Sequence, residues 1–275
     1  MAKTLYISDL DGTLLNRNAE LSHFAVEGLR ALCSKGIYLS VATARTAATV
    51  AAMLAPVGVN TPVVLMNGVC TYDLSKDEYV SVEYISSFAK SQAMQIIADH
   101  GLSGFWYCIE DGKLSTYYEN TDSPDAKLFI EERQRKYNKP FFKVDSFSSL
   151  SERGLVYYSI SDVTAKLEPA ASQLKEVQGL RVEYYRDVYN PRHSYLELCS
   201  SNASKKNAVS NIRKTYGFEK AVGFGDNYND IPLLEACDEF YAVSNAVEEL
   251  KKRSTAVIGA NTGDAVVRWL LENAE

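Results

Sequence analysis

The chain has 275 residues, enough for two domains or one large one. Hydrophobic residues make up 46% and charged residues 23%, which excludes a disordered chain, a collagen and a coiled coil. Lys plus Arg number 29 against 35 Asp plus Glu, a net charge of −6 that argues against general nucleic-acid binding.

No apolar run approaches the ~20 residues that span a bilayer, so no membrane partner is expected. The N-terminus meets acid at Asp9, too early for a signal peptide. Five scattered cysteines, Cys33, Cys70, Cys108, Cys199 and Cys237, show neither zinc spacing nor a disulfide framework. They read as reduced thiols of a cytoplasmic protein.

In chain order, Thr4–Leu10 reads as a strand stopped by Asp11-Gly12. A helix follows over Leu21–Lys35, with Ser22 as N-cap and Gly36 as stop. Then come strand Ile37–Ala42, helix Arg45–Leu54 and strand Val63–Met66. This alternation predicts parallel βαβ units, whose ligands sit beyond the carboxyl ends of the strands. After Asn67-Gly68 the texture changes: ten of the eighteen tyrosines lie between Tyr84 and Tyr189. Gly104–Glu110 and Lys113–Glu119 flank Asp111-Gly112 as a hairpin with a type I′ turn. Helix Pro124–Tyr137, strand Leu155–Ile160, helix Leu167–Gln178 and strand Leu180–Tyr185 follow. After Tyr195–Cys199 the first texture returns, with helix Ser204–Tyr216, strand Ala221–Phe224, helix Asn229–Cys237, strand Phe240–Val243 and helix Thr262–Asn273. The expected architecture is α/β: a doubly wound, Rossmann-like parallel core over 1–83 and 190–275, split by an inserted α+β cap over 84–189.

Four clusters carry chemistry. Asp9 and Asp11 lie two apart at a strand end, hence begin on one side of it. Two carboxylates ~4 Å apart at an effective dielectric near 20 repel by about 4 kcal/mol, which a divalent cation relieves. An ordinary Asp-Gly turn explains the segment equally well by itself. Gly225-Asp226-Asn227-Tyr228-Asn229-Asp230 again joins a strand to a helix, with more polar groups than a cap requires. In a parallel sheet Asp226 joins Asp9 and Asp11 at one edge. Thr43, with the first amides after the second strand, forms either a helix cap or an anion cradle. Lys205 and Lys206 open a helix whose dipole opposes them; a solvated pair is one account, and Lys205 reaching an anion is the other.

Together, Asp9-Leu10-Asp11-Gly12-Thr13, Thr43, Lys205 and Gly225-Asp226-x-x-Asn229-Asp230 resemble, in order, the four motifs of the haloacid dehalogenase-like superfamily. The insertion after the second motif, Asn67-Gly68 and Asn245-Ala246 are similar to its Cof-type phosphatases. Two departures stand out: Ala44 replaces the usual Gly, and Lys206-Asn207 follows Lys205, which keeps Lys206 as the alternative lysine.

The resemblance implies a phosphatase acting through an aspartyl-phosphate. Asp9 is then the nucleophile and Asp11 the general acid/base. Mg²⁺ is held by the side chains of Asp9 and Asp226 and the backbone carbonyl of Asp11. The phosphoryl oxygens meet Thr43, Lys205, Asn229 and amides near Leu10 and Ala44. Asp230, Arg45, Asn67 and Gly68 support them. Arg192, His193 and Trp106 are candidate substrate contacts. The expected substrate is a small phosphorylated metabolite, a sugar phosphate foremost. The competing readings are a phosphomutase or phosphotransferase on the same core, and a non-catalytic protein that binds phosphorylated metabolites.

Overall fold

The computed structural model describes residues 3–120, 124–137, 139–187, 190 and 192–275. The chain divides into two compact units, residues 1–81 with 204–275, and residues 82–203.

The first unit begins with β1 (Thr4–Ser8), α1 (His23–Ser34), β2 (Tyr38–Val41), α2 (Ala47–Leu54), β3 (Val63–Leu65), β4 (Cys70–Asp73) and β5 (Glu78–Val82), which crosses the boundary. The second holds α3 (Ser87–Asp99), β6 (Phe105–Glu110), β7 (Lys113–Tyr118), α4 (Pro124–Tyr137), β8 (Phe141–Lys143), β9 (Leu155–Val163), α5 (Thr164–Leu174), β10 (Leu180–Arg186) and β11 (His193–Ser200). The first unit resumes with α6 (Lys205–Tyr216), β12 (Lys220–Gly225), α7 (Ile231–Leu234), β13 (Glu239–Ala242), α8 (Glu248–Arg253), β14 (Ala256–Val257) and α9 (Ala265–Asn273).

The first unit is built on a parallel sheet in the order β14-β13-β12-β1-β2. Thr4 pairs with Lys220 and Ser8 with Phe224, so β1 and β12 end level. The interior strands are apolar on both faces, as a sheet covered by helices requires. β3 touches β2 through one parallel bridge, Ala42 to Val64, and otherwise pairs antiparallel with β4. In α1 the buried Ala25, Gly28, Leu29 and Leu32 recur at helical spacing, and the Ser22 hydroxyl caps the Ala25 amide at 2.9 Å.

The second unit is a six-stranded sheet, β10-β11-β9-β6-β7-β8, antiparallel except between β7 and β8. Its core joins Ala89, Ala93 and Ile97 of α3 and Leu167 and Leu174 of α5 to Tyr158, Ile160, Leu196 and Leu198 of the strands. The β6–β7 hairpin turns at Asp111 (φ 49°) and Gly112 (φ 72°), the positive pair of a type I′ turn.

Four expectations need correction. The boundaries at 83/84 and 189/190 fall instead at 81/82 and 203/204. The second shift follows from β11: it lies between β10 and β9, with Leu196 and Leu198 in that unit's core, so it continues the insertion. The third strand belongs chiefly to an antiparallel ladder. Finally, α2 starts at Ala47 rather than Arg45, because Thr43–Arg45 form a loop tied to the start of the next segment.

Candidate active site

β1 and β12 are neighbours, and from them the chain winds in opposite directions, to β2 on one side and to β13 and β14 on the other. Ligands in open α/β sheets sit at such a switch point, beyond the carboxyl ends of the strands. The pairing runs one step past β1, with the Asp9 amide donating to the Phe224 carbonyl at 2.9 Å. This register sets Asp9 opposite Gly225, one residue before Asp226.

Beyond β1 the chain makes one wide turn, Leu10–Leu14, closed by the Leu15 amide on the Leu10 carbonyl at 2.9 Å. Gly12 sits in it at φ 83°, and a Cβ there would fall 2.4 Å from Asp226 Oδ2. Only glycine allows both this conformation and this approach. The Thr13 hydroxyl donates to Asp226 Oδ1 at 3.0 Å, and Asn245 Nδ2 donates to the Gly12 carbonyl at 2.8 Å. Sequence reasoning gave neither residue a task. The sequence signal for each is its place in a family-like motif, Asp9–Thr13 for one and Asn245-Ala246 for the other.

Lys205 opens α6 behind its N-cap Ser204. Its ammonium donates to Asp9 Oδ1 at 2.7 Å and to Asp230 Oδ1 at 2.6 Å, and all three side chains are almost fully buried. Two charge-assisted bonds offset the unfavourable end of the helix dipole. Lys206 points outward to Glu235 instead, at 3.2 Å. Asp230 Oδ2 accepts the amides of Asp226 and Asn227 at 3.0 and 3.1 Å, so both its oxygens are engaged. Asn227 supplies the cap of the short turn Tyr228–Asp230. Asn229 stands exposed on that turn and takes part in none of these bonds.

Oxygens of Asp9, Asp226 and Asp230 lie within 4.8 Å of one another. Against them stands one ammonium, so the ionised cluster carries two uncompensated negative charges. Burial pushes the Asp9 carboxyl up to about 7 against the pull of Lys205. Burial, then the Asp230 charge, pushes Asp226 up to about 6. Burial opposes the Lys205 ammonium, yet its two carboxylates hold its pKa above the ordinary value. Hard oxygen donors with a surplus of two charges fit a divalent cation of the magnesium or calcium kind. Because Asp230 is fully engaged, Asp9 and Asp226 are the side chains suited to hold it.

Asp11 parts from Asp9. Its carboxylate is 53% exposed and forms a forked pair with Arg45, Nε to Oδ2 at 2.8 Å and Nη2 to Oδ1 at 2.5 Å. The expected repulsion is therefore relieved by two different cationic side chains. Thr43 is buried, and its hydroxyl accepts the Arg45 amide at 3.2 Å; Ala44 beside it is exposed, while the Leu10 side chain is buried. Asn67 and Gly68 lie in the turn after β3, close to Thr43 and Ser204.

The three substrate candidates lie in the second unit. Trp106 is 1% exposed within that unit's core, its indole N–H directed to Cys108 Sγ at 2.9 Å. A side chain so enclosed cannot stack on a ligand, which corrects the expectation. Arg192 is exposed and His193 half-buried at the start of β11.

A chain of this build is an α/β protein with carboxylates gathered beyond the carboxyl ends of two neighbouring parallel strands. Residues 6–270 match the family model described as haloacid dehalogenase-like hydrolase, so the chain belongs to that family. Within it this chain resembles proteins named phosphatases. It is 23% identical over 269 residues to pyridoxal phosphate phosphatase YbhA of Escherichia coli (strain K12), covering 95% of both chains. It is 26% identical over 285 residues to phosphatase YwpJ of Bacillus subtilis (strain 168), covering 95% of this chain and 96% of the other. The crystal structure of TM0651 from Thermotoga maritima matches with a TM-score of 0.81 and 25% identity, over 100% of this chain and 98% of that one.

Proposed function

We propose that this hydrolase is a phosphatase that acts on a small phosphorylated metabolite in two steps, through a phosphorylated Asp9. The observation that carries the reading is the three-to-one imbalance of carboxylates over ammonium at the ends of β1 and β12. A surplus of two negative charges in so enclosed a cluster costs stability, whereas phosphoryl transfer requires a cation beside an anionic nucleophile.

Asp9 attacks phosphorus and the ester P–O bond breaks, with the proton of Asp11 passing to the leaving oxygen. Water then attacks the acyl phosphate; Asp11 takes the proton of that water, and Asp9 is regenerated with inorganic phosphate released. Lys205 fixes one Asp9 oxygen, which leaves the other for attack. Thr43, Asn229 and the amides near Leu10 and Ala44 bind the phosphoryl oxygens. Asp9, Asp226 and the Asp11 carbonyl would hold Mg²⁺, which would supply charge neutralisation between nucleophile and phosphate. Asp230 orients Lys205 and the Asp226 backbone.

Sugar phosphates are the first substrate class to test, and pyridoxal 5′-phosphate the second, since the Escherichia coli relative bears that name. The second unit is the element assigned to choosing among them. Free thiols at all five cysteines support a cytoplasmic setting. No helix among the described residues is long and apolar enough to cross a membrane.

The test compares Asp9→Asn with Asp11→Asn. Asp9→Asn forms no acyl phosphate with any ester. Asp11→Asn loses about 10²–10⁴-fold on alkyl phosphates and less on p-nitrophenyl phosphate, whose leaving group needs little protonation. Phosphate released with no acceptor present distinguishes hydrolysis from transfer to a sugar hydroxyl. Turnover by Asp9→Asn at the wild-type rate would remove the covalent mechanism.

A further inference from the structure

We propose that Arg45 is the positioning residue of Asp11: it neither gives nor takes a proton, but holds the carboxylate where proton transfer occurs. The proposal rests on the acid/base role assigned to Asp11 above.

Asp11 sits past the end of β1 on a turn whose next residue is glycine, and its side chain is 53% exposed. A carboxylate so placed turns freely about its side-chain bonds unless something grips it. Among the described residues, Arg45 alone bonds to it, and does so with both arms of the fork. A fork on two oxygens fixes the plane of the carboxylate as well as its place, which one ammonium does not do. Each oxygen keeps a further lone pair for a water or a leaving group. Proton transfer requires an approach of about 2.6–3.2 Å, and a displacement of about 1 Å costs on the order of 10²-fold in rate.

Arg45 is itself held from behind. Its amide donates to the Thr43 hydroxyl at 3.2 Å, and its carbonyl accepts the Met66 amide at 3.1 Å. The Asn67 amide donates to the Thr43 carbonyl at 2.9 Å. These two amides point back at the loop because Met66 (φ 51°), Asn67 (φ 54°) and Gly68 (φ 95°) are all left-handed. A run of three such residues, two of them bearing side chains, persists only where the surroundings dictate it. Gly68 closes the arrangement: a Cβ there would fall 2.2 Å from the Ser204 carbonyl group, directly before Lys205. One turn thus braces both the loop that holds Arg45 and the helix start that holds Lys205. Asp11 and Asp9 are thereby referenced to the same piece of backbone.

Steady-state kinetics on a pair of esters tests this: glycerol 3-phosphate, a poor leaving group, and p-nitrophenyl phosphate, a good one. Arg45→Ala should lower kcat/KM for glycerol 3-phosphate by about 10–100-fold. That loss should exceed the loss on p-nitrophenyl phosphate by about tenfold or more, and should fall on kcat rather than KM. In the Asp11→Asn background the same substitution should add almost nothing, because the two side chains act as one unit. Arg45→Lys keeps the charge but not the fork. It should show the same ester selectivity with a smaller loss, and it carries the test should Arg45→Ala fold poorly. Equal losses on both esters, a loss confined to KM, or multiplying losses in the double variant would overturn the proposal, making Arg45 a direct phosphoryl ligand. If Asp11→Asn distinguishes the esters and Arg45→Ala does not, only this proposal fails. If Asp11→Asn does not distinguish them, the acid/base reading fails and this one with it.

Discussion

Replacing Lys205 by methionine keeps the stem of the side chain and removes its charge. The ammonium is 1% exposed and lies 2.7 Å from Asp9 and 2.6 Å from Asp230, themselves 6% and 0% exposed. Removing one partner of such a buried network costs about 3–5 kcal/mol, because the remaining charges keep their desolvation penalty without compensation. For a unit of about 150 residues this corresponds to a Tm lowered by about 6–20 °C. The loss also depends on pH. The Asp9 carboxyl stands at about 7 with Lys205 present, and burial raises it further once the ammonium is gone. A carboxyl that binds its proton more tightly folded than unfolded makes stability fall as pH climbs from the unfolded value, near 4, to the folded one. The deficit of Lys205→Met is therefore smallest near pH 5 and grows toward pH 8. Urea melts read by Trp269 fluorescence report it, because Trp269 belongs to α9 of the same unit and packs on Phe224 and Tyr241. Trp106→Phe removes the other indole signal. A deficit under about 1 kcal/mol, or one constant from pH 5 to 8, would refute the assigned network.

Magnesium affinity, measured by calorimetry, should tighten as pH rises from about 5 to about 8, since Asp226 (about 6) and Asp9 (about 7) must both shed protons to bind it; an affinity independent of pH would contradict the assigned ligands. Without metal the same two groups make stability fall over about pH 4 to 7, and saturating Mg²⁺, by displacing their protons from the folded state, should flatten that slope. Gly12→Ala should cost about 1–3 kcal/mol in backbone strain and weaken Mg²⁺ binding as Asp226 is displaced, to be read by thermal melts and calorimetry. Trp106→Ala should cost the second unit about 3–5 kcal/mol by circular dichroism, whereas Trp106→Phe should leave KM unchanged for every substrate, as a core residue demands.

The acidic ends of β1 and β12 are legible in the sequence because strand, glycine and carboxylate occur together twice, and a parallel sheet brings two such ends to one edge. The type I′ hairpin is legible for a similar reason: Asp-Gly between two strand-like runs admits few alternatives. The allegiance of β11 is not, because Tyr195–Cys199 has the composition of either sheet and only its partners decide. Trp106 shows the same limit. An aromatic on an alternating strand faces either core or ligand, and the bulge after Tyr107 alters that alternation. The divergence of Asp11 from Asp9 is hidden as well. Residues two apart share a side only while the strand continues, and β1 stops at Ser8. Arg45 reaches Asp11 only because its loop is held by the left-handed turn at Met66–Gly68, and a left-handed Met66 leaves no mark in composition.

The pairing of β1 with β12 bears on how the chain is made. Thr4 waits for Lys220, 216 residues further on. At a ribosomal pace of about 5–20 residues per second, β1 emerges about 10–40 s before its partner exists. During that interval the nascent chain holds β1 and β2 with one edge of the sheet unpaired, while the whole of the second unit is synthesised. Asp9 stays without Lys205 and Asp226 throughout, since both are encoded in the last third of the chain. A truncated chain released before residue 226 thus carries Asp9 but neither Lys205 in place nor Asp226. Termination before that point leaves the carboxylate cluster at the ends of β1 and β12 incomplete.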